Sequence, residues 1–156
     1  CIIPNDSPFV FKWDRRGYDE CEREYQNYIA SKEYGISVLF PKTEIFCTIG
    51  ENTLYIQEKV DFTALGTPRK TYNKYKNMTK TVKIDLVYKV SNNCYGSTDI
   101  DLLWLRMLIL LYGKKVTKKF EDFTNEYKIN DLHHSNVGYV NNRPVVLDFS
   151  GYGFRL

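Results

Sequence analysis

Apolar positions along the chain change period several times, and each change marks an element. Cys1-Ile2-Ile3 and Phe9-Val10-Phe11-Lys12-Trp13 are apolar, β-prone blocks flanking Pro4-Asn5-Asp6-Ser7-Pro8, a run of turn formers. Together they predict a hairpin. Tyr18 to Glu33 then predicts a helix, opened by Asp14 or Asp19 and closed by Gly35. Cys21, Tyr25, Tyr28 and Ile29 share one face of it, with Glu20 and Glu24 a turn apart on a neighbouring face. Ile45 to Ile49 and Leu54 to Val60, around Gly50-Glu51-Asn52, predict a second hairpin.

Residues 61–97 are polar and show no dominant period. Within them Thr81 to Val90 alternates, which fits a half-exposed strand or a short helix. Asp99 to Tyr112 is apolar all round and predicts a buried helix ended by Gly113. Thr117 to Tyr127 predicts an amphipathic helix with Phe120, Phe123 and Tyr127 on one face. Val137 to Val140 and Val145 to Leu147 predict two short strands turned by Asn141-Asn142.

Composition narrows the class. The chain has 156 residues, enough for one domain or one domain in two small lobes. An aromatic share of 15% argues against disorder, because aromatic side chains bury much area each. The 22 Lys and Arg against 19 Asp and Glu leave a net +3, too weak a field to imply nucleic acid. Basic residues concentrate between Arg69 and Lys83, including Lys70, Lys74, Lys76 and Lys80. That run fits a solvated lysine-rich loop or strand pair, or a docking patch for an acidic partner or RNA. Cys1, Cys21, Cys47 and Cys94 form no C-x-x-C pair, which argues against a zinc site and for free thiols in a reducing cytoplasm. Leu102 to Tyr112 is too short, and too interrupted by Arg106, to span a bilayer.

The chemistry concentrates near the C-terminal end. Asn130-Asp131-Leu132-His133-His134-Ser135-Asn136 is followed by the predicted hairpin and then by Asp148-Phe149-Ser150-Gly151. This order resembles the catalytic loop and magnesium loop of the protein-kinase-like superfamily. The short D-L-H-x-x-N form is closer to RIO-like and aminoglycoside-phosphotransferase-like members than to ordinary eukaryotic kinases. The resemblance implies an α+β, protein-kinase-like fold: a small antiparallel N-lobe sheet with one helix, and a reduced helical C-lobe carrying a catalytic hairpin. It divides the chain into an N-lobe-like part (1–60), a hinge and basic linker (61–97) and a reduced C-lobe (98–156).

By the same resemblance Asp131 orients the acceptor or takes its proton, and Asn136 and Asp148 hold magnesium. Lys12, on the first predicted strand, meets the phosphates of ATP, and the following helix supplies a carboxylate to pair with it, Glu24 before Glu20. Glu58 and Val60 offer backbone groups to adenine. The function implied is an ATP- and Mg2+-dependent phosphotransferase, a minimal serine/threonine protein kinase, acting in the cytoplasm on a protein substrate. Neither nucleic acid nor membrane is an expected partner. No glycine-rich loop precedes Lys12 and few residues follow Gly151. A fragment, a minimal kinase or a pseudokinase that binds a partner protein would each fit. The Tyr-, Asn- and Lys-rich composition suggests an AT-rich source such as a phage or its host.

Overall fold

A computed structural model describes residues 1–62, 69–93 and 100–151. Its first part is a three-stranded antiparallel sheet built from β1 (Phe9–Lys12), β2 (Thr43–Ile49) and β3 (Asn52–Glu58), in the order β1-β3-β2. Ile2 bridges to Phe11 through paired 2.8 Å backbone hydrogen bonds, so the predicted first hairpin closes at a single pair. The second hairpin closes from Ile49↔Asn52 to Thr43↔Gln57, with an irregularity between Ile45 and Cys47.

Helix α1 (Glu20–Glu33) crosses behind this sheet. Of the two expected caps, Asp14 does the work. Its carboxylate accepts from the amides of Cys21 at 2.7 Å and Glu22 at 3.1 Å, whereas Asp19 makes no side-chain cap bond. Glu20 and Glu22 in the first turn and Lys32 in the last add favourable charges at each end of the helix dipole.

Past Val60 the chain enters a second antiparallel sheet, β4-β5-β6, made of Asp61–Phe62, Val137–Val140 and Arg143–Val146. Gly138 is required where β4 meets β5. A Cβ there would collide with the Asp61 carbonyl oxygen and the Val60 side chain. Among the described residues between β4 and β5 lie three helices, α2 (Arg69–Met78), α3 (Ile84–Asn93) and α4 (Leu102–Glu126).

The lysine-rich run is therefore neither loop nor strand pair. It forms α2 and a short 3-10 turn, Thr79–Thr81, which Arg106 of α4 holds by donating to the carbonyls of Thr79 and Val82 at 3.0 Å each. Lys74, Lys76, Lys80 and Lys83 are exposed. The side chains of Arg69 and Lys70 lie outside those described, and so does Cys94. The alternating stretch resolves as helix α3, with Val87 and Val90 buried a turn apart while Ile84 and Tyr88 face outward.

The two helices expected on either side of Gly113 are both present and abut at a kink within α4. The chain leaves helical geometry at Gly113 (φ 71, ψ −173) and resumes at once. Asp101 caps α4 by accepting from the Trp104 amide at 2.8 Å.

One hydrophobic core joins both parts. Tyr28, Leu39 and Phe40 from the α1 side meet Trp104, Phe120, Phe123 and Phe149. Trp104, Phe40, Phe120, Phe123 and Phe149 are fully buried, and each contributes on the order of 1.5–3 kcal/mol through burial. The Trp104 indole N–H also reaches the carbonyls of Gly138 and Val145, at 3.2 and 3.1 Å, and so fixes the β5–β6 hairpin against α4. No helix among the described residues is long and apolar enough to cross a membrane.

Candidate functional site

Strand alternation decides what meets α1. In β1, Val10 and Lys12 point to one face while Phe9 and Phe11 point to the other. Register places Lys12 opposite Tyr55 and Val10 opposite Gln57, and Thr43 is also opposite Gln57. Lys12, Tyr55, Gln57 and Thr43 therefore share the face that α1 covers. The apolar outer face has the Phe11 and Phe46 rings edge to face at 5.2 Å.

On the covered face Lys12 Nζ donates to Glu24 Oε2 at 2.6 Å. Gln57 Nε2 donates to the same oxygen at 3.2 Å and to Thr43 Oγ1 at 3.0 Å. Glu24 is 3% exposed. Burial pushes its carboxyl above the usual carboxylate range, and the Lys12 ammonium and the Gln57 amide oppose that push. The negative charge of Asp148 adds to the upward shift, so Asp148 bears electrostatically on the Lys12–Glu24 pair. Beside the pair, burial and the Asp14 carboxylate raise the Cys21 thiol to about 12.

The base of the β5–β6 hairpin carries the other expected residues. Val137 pairs with Val146, and the Leu147 amide donates to the Asn136 carbonyl at 2.7 Å. Asn136 and Asp148 thus leave the two sides of the hairpin base. Asp148 takes a left-handed backbone (φ 48), uncommon for a residue with a Cβ and a conformation that tends to mark functional sites. Its neighbour Phe149 is locked on both sides. The Phe149 ring packs on Phe40 at 5.0 Å, and its carbonyl accepts from Asn27 Nδ2 of α1 at 2.7 Å. The Asn27 bond ties the helix that carries Glu24 directly to the loop that carries Asp148.

Asp131 joins Asp148 in one cleft of about 190 Å³, lined also by Glu20, Arg23, Lys128 and Ser150. His133 Nε2 lies 3.1 Å from Asp131 Oδ1. Among the described residues no group of three or more His, Cys, Asp or Glu side chains forms a ready metal cage. Asn136 and Asp148 are hard oxygen donors of the kind magnesium takes one or two at a time, with water and phosphate oxygens completing its shell.

The residues expected at the adenine end are differently engaged. The Glu58 amide donates to the Lys42 carbonyl at 2.9 Å. The Glu58 carboxylate accepts from Arg143 Nη2 at 2.7 Å and from the Lys42 amide at 2.7 Å. The Val60 side chain is buried with Val140 and Val145. The sequence did not single out Gln57 or Asn27. Asn27 follows Glu24 on the same helical face, and Gln57 alternates with Tyr55 on the inner strand face, so spacing carried a signal for both. The chain matches no protein-family model, no curated protein and no solved structure.

Proposed function

We propose that this protein is an ATP- and Mg2+-dependent phosphotransferase of protein-kinase-like type, transferring a phosphoryl group to a serine or threonine hydroxyl of a protein. The observation that carries the reading is the Lys12–Glu24 pair at 2.6 Å on a nearly inaccessible carboxylate within the field of Asp148. Replacing a buried ion pair with apolar groups is often neutral or stabilising, so stability alone gives little reason to keep one here. An ammonium held by a buried carboxylate suits a nucleotide phosphate.

In this reading Glu24 and Gln57 fix Lys12, and Lys12 meets the phosphates. Asn136 and Asp148 hold the magnesium, which when bound offsets phosphate charge. Asp131 orients the acceptor hydroxyl and takes its proton as the oxygen attacks the terminal phosphorus, whose bond to the bridging oxygen breaks so that ADP leaves. Phosphoryl transfer needs mainly positioning and charge compensation, which this residue set can supply. With the Glu58 amide committed to Lys42, adenine recognition falls to the backbone around Val60.

Incubation with labelled ATP and magnesium should give transfer to a protein acceptor, or to the chain itself, that Asp148→Ala removes. Equal activity in both forms would dismiss the site. A second reading, a pseudokinase that binds or inhibits a partner protein, draws on the exposed lysines at 74, 76, 80 and 83. It expects partner capture to survive Asp131→Asn and to be lost on reversing the charge of Lys74 and Lys76.

A further inference from the structure

The loop that carries Asp131 closes on itself through His133. The Asn136 amide donates to the His133 carbonyl at 2.8 Å, and the Ser135 amide donates to His133 Nδ1 at 3.1 Å. An imidazole nitrogen that accepts an N–H cannot carry a hydrogen of its own. The neutral ring has one hydrogen, so it sits on Nε2. Nε2 is 3.1 Å from Asp131 Oδ1, a donor facing an acceptor. Asn136 Nδ2 lies 3.5 Å from the same nitrogen, but an amide nitrogen is a donor and cannot accept the hydrogen on Nε2, which leaves the carboxylate as its acceptor.

We propose that His133 is a positioning residue: the Ser135 backbone N–H sets its tautomer, and its Nε2–H fixes the Asp131 carboxylate by engaging Oδ1. Oδ2 is then the oxygen left to meet the acceptor hydroxyl. The chain thus supplies a backbone-to-imidazole-to-carboxylate relay of orientation, in which no proton moves along the ring. Leu132, between the two, is 1% exposed and anchors the loop so that His133 and Asp131 keep their spacing.

The assignment to catalysis rests on the phosphotransferase reading; the tautomer does not. Asp131 and His133 are partly exposed, so their mutual bond adds little to stability and its loss should not move the melting temperature. The chain has 2 histidines, and nitrogen-15 NMR of the rings, assigned with a His134→Gln variant, should show His133 with a hydrogen on Nε2 and a bare Nδ1. A hydrogen on Nδ1, or rapid averaging of the two tautomers, would overturn the proposal whether or not the protein is active.

In transfer assays His133→Ala should lower kcat roughly tenfold to a hundredfold with the KM for ATP unchanged, the scale of a misplaced catalytic group. His133→Gln, whose amide nitrogen can stand in for Nε2–H, should recover most of it. Equal turnover in the wild type and the Ala variant would also overturn the proposal. Inactivity of the wild type counts against the phosphotransferase reading, and the NMR measurement then decides this one alone.

Discussion

Glu24 faces two opposing demands. Burial favours its protonated form, while Lys12 and Gln57 favour the carboxylate, and burial prevails, leaving the group above the ordinary range. The folded chain therefore holds a proton on Glu24 more tightly than the unfolded chain does. Below the unfolded value of 4.5 both states are protonated, and the contribution is fully present. As pH rises above 4.5 the unfolded state releases the proton first, and stability is lost progressively up to the folded value. Glutamine copies the protonated form without titrating. The stability of Glu24→Gln relative to the wild type should therefore rise with pH from the carboxylate range upward. Urea unfolding of both forms at a series of pH values checks this. A difference that stays constant or falls with pH would mean that Lys12 outweighs burial and holds Glu24 ionised throughout. Lys12→Ala should steepen the wild-type trend, because it removes the main group opposing protonation.

At the scale of elements, the break in α4 is the least ordinary feature. Gly113 sits at φ 71 and ψ −173, a region that only glycine enters without strain. The carbonyl of Gly113 accepts from Thr117 Oγ1 at 2.8 Å, and Thr117 is itself buried, so the resumed helix is tied to the break. Gly113→Ala should cost about 1–3 kcal/mol and lower the melting temperature by about 2–4 °C for each kcal/mol, with no gain in helical circular dichroism. A stabilised variant with more helix would mean that α4 can straighten. Turn chemistry is also what made the elements legible in the sequence. Dense Pro, Asn and Gly runs bounded the sheet, and the 3.6-residue period of Cys21, Tyr25 and Tyr28 located α1. The helices α2 and α3 were obscure because each buries a narrow stripe. Tyr75 is the one buried side chain among those described on α2, and the exposed Ile84 and Tyr88 on α3 mimic a strand's alternation. Lys12 and Glu24 could be paired from strand and helix order. Gln57 and Asn27 had only their spacing to mark them, since a neutral amide becomes conspicuous only when tertiary packing buries it.

For the molecule as a whole, the proposed site would draw on both parts of the fold. Lys12 and Glu24 belong to the first sheet and α1, while Asn136 and Asp148 belong to the base of the second sheet's hairpin. The shared core and the bond from Asn27 to Phe149 hold the two parts together. A ligand that touches both should stabilise the whole fold in one transition. Magnesium alone meets only two protein oxygens and should bind weakly, because it normally needs phosphate oxygens as well. On the phosphotransferase reading, ATP alone would meet Lys12 but would also face the negative charges of Asp131 and Asp148. The combination should therefore raise the melting temperature by more than the sum of either alone. A ligand at a hundred times its dissociation constant stabilises the folded state by about 2.7 kcal/mol. For a chain of this length that corresponds to roughly 5–10 °C. Asp148→Ala should abolish the synergy and leave the small effect of ATP alone. Glu24→Gln should weaken both responses, because it loosens Lys12. A flat thermal-shift titration of the wild type to millimolar Mg-ATP would remove nucleotide binding from the account and leave the partner-binding reading, with the exposed lysines of α2 as its surface.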